Sequence, residues 1–560
     1  MGAMCRCHHS HAVPSPGAAD RLPLNRFFRR LVLLASNVSL MAVPLPALAQ
    51  VRLPALGETA SEEFTAGTER KLGEQIMSEI VRDPDYLDDP VLVDYLLSLW
   101  LPLVAVARTR GEIDVDTDQQ FAWDAFLVRD RTVNAFALPG GWVGVHLGLI
   151  AMTATRDELA SVLAHELSHV TQRHIARSVV NSQRASLAGV AGAILAVLAA
   201  SRSRNADVVQ AAMVGGQAVA IQGQLNFSRD MEREADRIGF GVLSGAGFTP
   251  GGMAAMFEKL DSANRINDNG AFPYLRSHPL TVERISEARS RNLFAAPGGA
   301  ANAAPQYLHA MMQGRARVLM DPAAQSLRRL QEPLSGPSAA TGKERVAQLY
   351  AGALASAVLR EHAQAQAAVQ EAQRLLANAS PRDPAAERSL QMLHAQVVLA
   401  RGDADQALQL LDAITLEPDA RAPMMLRAQA ALDGQRQGSS LAEAELRRST
   451  EALQVWVAGH KRDGAAWAML STTADAIGLR LRSLRANAEA RAAEGDLMGA
   501  IDRLRAAQQA ARTASVGQDF IEASIIDSRL RDLQGQRRQL ALEMRGHRGS
   551  PQPPEGDTLP

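Results

Sequence analysis

The run His165-Glu166-Leu167-Ser168-His169 decides the reading of this chain. Two histidines four apart on a helix project from one face, one turn apart, and can grip a single zinc ion. Glu166 then stands beside the first ligand, placed to move the proton of a hydrolytic water. The neighbouring residues supply the helix. Thr155-Arg156-Asp157-Glu158 has the form of a capping box, with Thr155 as N-cap and Glu158 three residues on. Leu159, Val162, Leu163, Leu167 and Val170 recur at helical spacing, which predicts a helix of about five turns buried along one stripe.

A catalytic zinc takes three protein ligands and keeps a position open for water. A third histidine in the pattern HExxHxxGxxH would require glycine at 172 and histidine at 175. Gln172 and Ile175 exclude it, and His174, one residue off, reads as a polar surface residue. The alternative is a glutamate from a later helix, and the run 228–236 (SRDMEREAD) offers one. Glu232 and Asp236 are four apart and share a face, while Glu234 points elsewhere. Glu232 is therefore expected on the metal, with Asp236 behind it holding a ligand imidazole by its other ring nitrogen. An acidic helix start followed by Arg233 and Arg237 would also suit a solvated, dipole-matched surface, and only its company with His165 and His169 argues otherwise.

These motifs resemble those of the zinc metallopeptidase family that includes the CAAX prenyl proteases and the bacterial HtpX-type proteases. The resemblance rests on the runs 165–169 (HELSH), 228–236 (SRDMEREAD), 134–141 (NAFALPGG) and 277–279 (SHP), which follow the family's order and cover roughly residues 120–290. It implies an α+β, mostly helical, zincin-like metalloprotease domain with a small sheet, one Zn2+ per chain, and a third ligand at Glu232. It also places Ser277-His278-Pro279 near the active site, so His278 is expected to approach the zinc, either as a fourth ligand holding the enzyme latent or as a donor to the oxyanion. Among family members, the exported ones with a C-terminal repeat domain fit best. By that likeness the substrates are unfolded or misassembled outer-membrane proteins, and the repeat domain contacts the barrel-assembly or lipopolysaccharide-transport machinery.

The segment upstream has its own physical sense. Residues 121–128 (FAWDAFLV) read as a strand, and 132–138 and 142–147 as two more, joined by Pro139-Gly140-Gly141 as a hairpin turn. A zincin needs an edge strand on which an extended peptide can lie. Asn134, Ala135, Phe136 and Gly140 are the substrate-binding candidates on that hairpin. Between the zinc motifs, 187–200 and 208–220 are apolar and small; fourteen residues fall short of a bilayer span, so buried helices are expected, with a lid or membrane-contacting loop as the alternative.

Arg26, Arg29 and Arg30 precede an apolar run from Leu31 to Val43, and Ala47-Leu48-Ala49 matches a small-residue cleavage site. This predicts a secretory signal over 1–49, cleaved after Ala49, and a periplasmic protein without a stop-transfer segment that could touch the outer membrane peripherally. Cys5, Cys7, His8, His9 and His11 fall within that leader, so the mature chain is expected to use no disulfide. Without residues 1–49, the 59 basic and 60 acidic side chains become 54 and 59. A slightly acidic chain with no basic run and 4% aromatic residues gives no support to nucleic-acid binding.

The organisation expected is a peptidase domain over 50–295, then a linker and packing helix over 296–343, the helix running from about Gln306 to Arg329. An all-α, tetratricopeptide-like repeat domain would follow over 344–545, and a disordered tail over 546–560. Two units in the repeat region share a pattern, Gly402 with Ala395 and Ala407, and Gly495 with Ala488 and Ala500. Small residues at those offsets let paired helices pack closely; Trp467 and Pro418 fit the scheme loosely, and 351–376 forms a weaker unit. The function expected is an exported zinc-dependent endopeptidase acting in outer-membrane protein quality control. Its rivals are a periplasmic chaperone or assembly adaptor working through the repeats, and a merely structural zinc site.

Overall fold

A computed structural model describes residues 64–181, 192, 228–266, 272–294, 306–336, 339–414, 420–513 and 520–548. The leader, the apolar stretch around 187–220 apart from Gly192, the linker at 295–305 and Pro418 lie outside the described residues. The chain is mostly helical, with one four-stranded sheet in the peptidase region and an all-helical C-terminal region.

The sheet comprises β1 (Tyr86–Leu87), β2 (Asp124–Val128), β3 (Ala135–Leu138) and β4 (Trp142–His146), in the order β1-β2-β4-β3. β3 and β4 form the expected antiparallel hairpin, Ala135 opposite Val145 and Leu138 opposite Trp142, and β4 runs parallel to β2. Gly140 and Gly141 both have positive φ, 77° and 93°, which only glycine adopts freely. The strand expected from residue 121 begins only at Asp124, because Trp123 takes φ 50° and turns the chain. β3 is an edge of the sheet, with no further strand beside it among the described residues.

The HELSH helix, Arg156–Thr171, runs through the centre of the peptidase domain. It was expected to be buried along one stripe; instead all residues from Asp157 to Thr171 are buried. Polar residues on its second face conceal that from the sequence, since they meet the metal group and neighbouring helices rather than water. The helix Pro90–Thr109 packs against it, with Leu92, Leu96, Trp100 and Leu103 fully enclosed. This helix is long and apolar enough to cross a membrane, but here its apolar side chains enter the core of the peptidase domain.

The packing helix expected from Gln306 to Arg329 is two helices, Tyr307–Met320 and Ala324–Gln331. Pro322, which has no N–H to continue the ladder, stands at the break between them. From Gly342 onward each helix packs on the next, and several also on the next but one. Ala395, Ala407, Ala488 and Ala500 are fully buried between paired helices, and Gly402 and Gly495 close the turns with positive φ. The last helix, Phe520–Arg548, continues past Gly546, where a disordered tail was expected to start.

This region is bolted to the peptidase domain by buried charges. Arg421 grips Asp88 through two 2.7 Å bonds and Asp463 through bonds of 2.7 and 2.8 Å. Asp94 accepts the Ala422 N–H at 2.8 Å, and Arg315 of the intervening helix Tyr307–Met320 pairs with Asp89 at 2.6 and 2.7 Å.

Candidate metal centre

Capping sets the start of both metal helices. Thr155 Oγ1 accepts the Glu158 N–H at 3.2 Å, while the Glu158 carboxylate accepts the N–H of Ala154, one residue before the partner a capping box would choose. Ser228 caps the second helix, Arg229–Gly245, by accepting the Met231 N–H. The two helices approach closely at Gly239, where a Cβ would come within 3.0 Å of the Ala164 carbonyl oxygen. That approach presents Glu232 to His165 and His169.

Donor atoms of His165, His169, Glu232 and His278 lie within 4.8 Å of one another, all four side chains buried. His165 Nε2 is 3.0 Å from His169 Nε2, 3.3 Å from His278 Nδ1 and 3.4 Å from Glu232 Oε2. Glu232 Oε1 is 3.5 Å from His169 Nε2 and 2.9 Å from His278 Nδ1. Four donors around a zinc at about 2.0 Å stand about 3.3 Å apart at the corners of a tetrahedron. The contacts here, 2.9 to 3.5 Å with one or the other Glu232 oxygen, are of that order, and two imidazoles and a carboxylate are a set zinc accepts. His278 sits at the fourth corner. It follows the four-residue helix Tyr274–Ser277, out of helical geometry at φ −123° and ψ 77° as the following proline requires, with its ring stacked on Tyr274 at 4.7 Å.

The electrostatics are those of a cation site. Burial opposes charge on His165, but the carboxylates of Asp236 and Glu232 outweigh it and push its pKa up to about 9. Burial, then repulsion from His165, hold His169 well below the usual imidazole range. Burial pushes the Glu232 carboxyl up, yet His278 and His165 overcome it and hold the group ionised. Glu166 is different. It is fully enclosed, with His278 Nε2 3.5 Å from its Oε1, and burial raises its affinity for a proton against the opposing pull of His278 and His165.

Asp236 Oδ1 lies 3.0 Å from His165 Nδ1. Arg284, which nothing in the sequence singled out, holds Asp236 with bonds of 2.7 and 2.9 Å, lies 2.8 Å from Glu232 Oε2 and donates to the Pro279 carbonyl at 2.9 Å. It ties the His278 loop to the second metal helix. His174 corrects the surface assignment. It is fully buried, with Nδ1 2.8 Å from His169 Nδ1 and Nε2 3.0 Å from Glu234.

The substrate candidates divide. Asn134 is buried at the start of the edge strand, and its Oδ1 has no partner. Ala135 is fully enclosed opposite Val145, and the Phe136 ring packs on Phe126 and His146. Gly140 is not brought to the metal group by any recorded contact. A Cβ there would strike Arg70 and Trp142 at 2.8 Å, so close packing against the helix Ala66–Ile80 accounts for the glycine.

The sequence profile of Peptidase family M48 matches residues 106–292. A putative beta-barrel assembly-enhancing protease of Vibrio cholerae is 38% identical over 272 residues, 48% of this chain and 53% of that protein. The beta-barrel assembly-enhancing protease of Yersinia pestis is 30% identical over 481 residues, 85% of this chain and 91% of that protein. A mitochondrial metalloendopeptidase of Schizosaccharomyces pombe is 34% identical over 163 residues, 29% of this chain and 44% of that protein. The match thus spans about half the length of the Vibrio relative and most of the Yersinia one.

Proposed function

This chain belongs to peptidase family M48, and from that premise we propose that it is an exported zinc-dependent endopeptidase of outer-membrane protein quality control. The observation that carries the proposal is the gathering of the buried donors of His165, His169, Glu232 and His278 within 4.8 Å of one another, with the enclosed Glu166 beside them. Zinc held by His165, His169 and Glu232 would supply a Lewis acid that polarises the scissile carbonyl. Glu166 takes the proton of the attacking water and passes it to the departing amine; its enclosure raises its proton affinity for both steps, against the pull of His278 and His165. A substrate segment adds to the free side of β3 as an extra strand, with Asn134 offering its Oδ1 to a backbone N–H.

His278 at the fourth corner favours latency at rest. Its ring fills the place that a substrate carbonyl needs, and it must move aside before hydrolysis starts.

The leader pattern supports a periplasmic location, with peripheral contact at the outer membrane. The names of the Vibrio and Yersinia relatives support misassembled outer-membrane β-barrel proteins as substrates. The paired helices, read as tetratricopeptide-type repeats, would dock the enzyme on barrel-assembly or lipopolysaccharide-transport machinery. The enclosure of all four donors favours a second reading as well, a chaperone or assembly adaptor that works through the repeats while its peptidase is shut.

Glu166→Gln tests the choice. The variant keeps the ligands and should bind one zinc per chain while losing about 10²–10⁴-fold in cleavage of an unfolded substrate. Cleavage within tenfold of wild type would refute the assigned mechanism. Rescue of outer-membrane assembly in cells by the uncleaving variant would favour the adaptor.

A further inference from the structure

His165 and His169 are held from behind in different ways. His165 meets a carboxylate directly, with Asp236 Oδ1 3.0 Å from its Nδ1. His169 meets another imidazole. His174 Nδ1 is 2.8 Å from His169 Nδ1, and the far nitrogen of His174 is 3.0 Å from Glu234 Oε2. Arg177 Nη1, 2.8 Å from the same oxygen, holds Glu234 as a carboxylate.

We propose that His174 and Glu234 are positioning residues of the metal centre, a two-step relay that fixes the tautomer and the ring orientation of His169. The proton logic runs one way. Glu234 only accepts, so His174 Nε2 carries a hydrogen and donates. A neutral His174 then has a lone pair on Nδ1, and the short contact to His169 requires the hydrogen on His169 Nδ1. His169 Nε2 is left with its lone pair turned toward His165 Nε2 and Glu232, which is the state a ligand needs. The opposite arrangement, a doubly protonated His174 donating to His169 Nδ1, would put the hydrogen on His169 Nε2 and remove it as a ligand.

The fold shows how His174 reaches that place. Five residues beyond His169, it would lie off the ligand face of a continuous helix. The helix ends at Gln172, and Arg173 takes a left-handed φ of 50°, uncommon for a residue with a side chain and costing about 1 kcal/mol. Arg173 is held there by the buried Glu69, 3.0 Å away, and by a bond to the Phe64 carbonyl. The kink swings His174 back under His169 and starts a new helix, His174–Asn181, that carries Arg177 to Glu234. Glu234 comes from the same helix as Glu232, two residues on, so one helix supplies both a metal ligand and the end of the relay.

This inference rests on the zinc reading above, and its test separates the two. Zinc affinity is measured on the full chain by chelator competition, with no turnover needed. His174→Leu should weaken zinc by about 10–100-fold. His174→Gln, whose amide can accept from His169 and donate to Glu234, should recover most of that loss. Glu234→Ala, at a partly exposed side chain, should keep the fold and weaken zinc less than His174→Leu, and it carries the test if the leucine variant does not fold. Zinc binding within twofold of wild type in both His174→Leu and Glu234→Ala would overturn the relay. A glutamine variant as weak as the leucine one would overturn it too, reducing His174 to a packing residue. Wild-type protein that binds no zinc would defeat the metal reading itself.

Discussion

Asp94→Asn should stabilise the protein in a pH-dependent way. Asp94 stands on the helix Pro90–Thr109 and accepts the Ala422 N–H of the repeat region at 2.8 Å. Burial pushes its carboxyl up from 3.8 to about 6, against the pull of that N–H and of Arg421, and Asp463 and Asp88 add to the rise. A carboxyl whose pKa is higher folded than unfolded favours the folded state when protonated. Its contribution is full below the unfolded value and is lost as pH rises through the window from 3.8 to about 6. A difference of about two pKa values corresponds to at most about 3 kcal/mol, and solvent screening at this half-buried side chain reduces it to about 1–2 kcal/mol. Asparagine keeps an oxygen for Ala422 and has no charge to desolvate. Urea unfolding of wild type and variant, each saturated with chelator, should show the variant more stable by about 1–2 kcal/mol at pH 7.5, with the gap shrinking to about a third near pH 4.5. A gap that does not change with pH, or a variant less stable at pH 7.5, would mean that the buried Asp94 charge does not destabilise the fold.

Gly239→Val should drive the two metal helices apart, since its Cβ starts 3.0 Å from the Ala164 carbonyl. Overpacking of this kind costs about 1–3 kcal/mol, read as a lower melting temperature, and zinc affinity should fall with it as Glu232 recedes. Unchanged affinity would mean that helix approach does not set the ligand spacing. His278→Ala should raise basal proteolysis, about tenfold or more if the open form of the wild type is under a tenth populated. Peptide cleavage and autocleavage equal to wild type would remove both roles assigned to His278.

What the sequence made legible is what periodicity and spacing encode. The HELSH helix, the shared face of Glu232 and Asp236, and the glycine-closed hairpin are local patterns, and each occurs where its pattern put it. Contacts across sequence were not legible. Arg284 reaches Asp236 from 48 residues away, and Tyr274 meets His278 because a four-residue helix turns it inward. His174 was misplaced for a sharper reason. Helical arithmetic continued through residue 173, where the chain adopts a left-handed conformation with no glycine or asparagine to announce it. The same limit hid the full burial of the HELSH helix, whose polar face is covered by partners that only the fold brings there. Pro322, by contrast, was a visible stop signal that the expected 306–329 helix ran through.

The proposed site holds one zinc ion by His165, His169, Glu232 and, at rest, His278. X-ray absorption at the zinc edge on the purified full-length protein tests it most directly. The predicted spectrum is one zinc per chain with four nitrogen or oxygen neighbours at about 2.0–2.1 Å and outer-shell scattering from three imidazoles. A zinc seen with fewer than two imidazoles, or none retained by protein prepared with zinc present, would contradict the account.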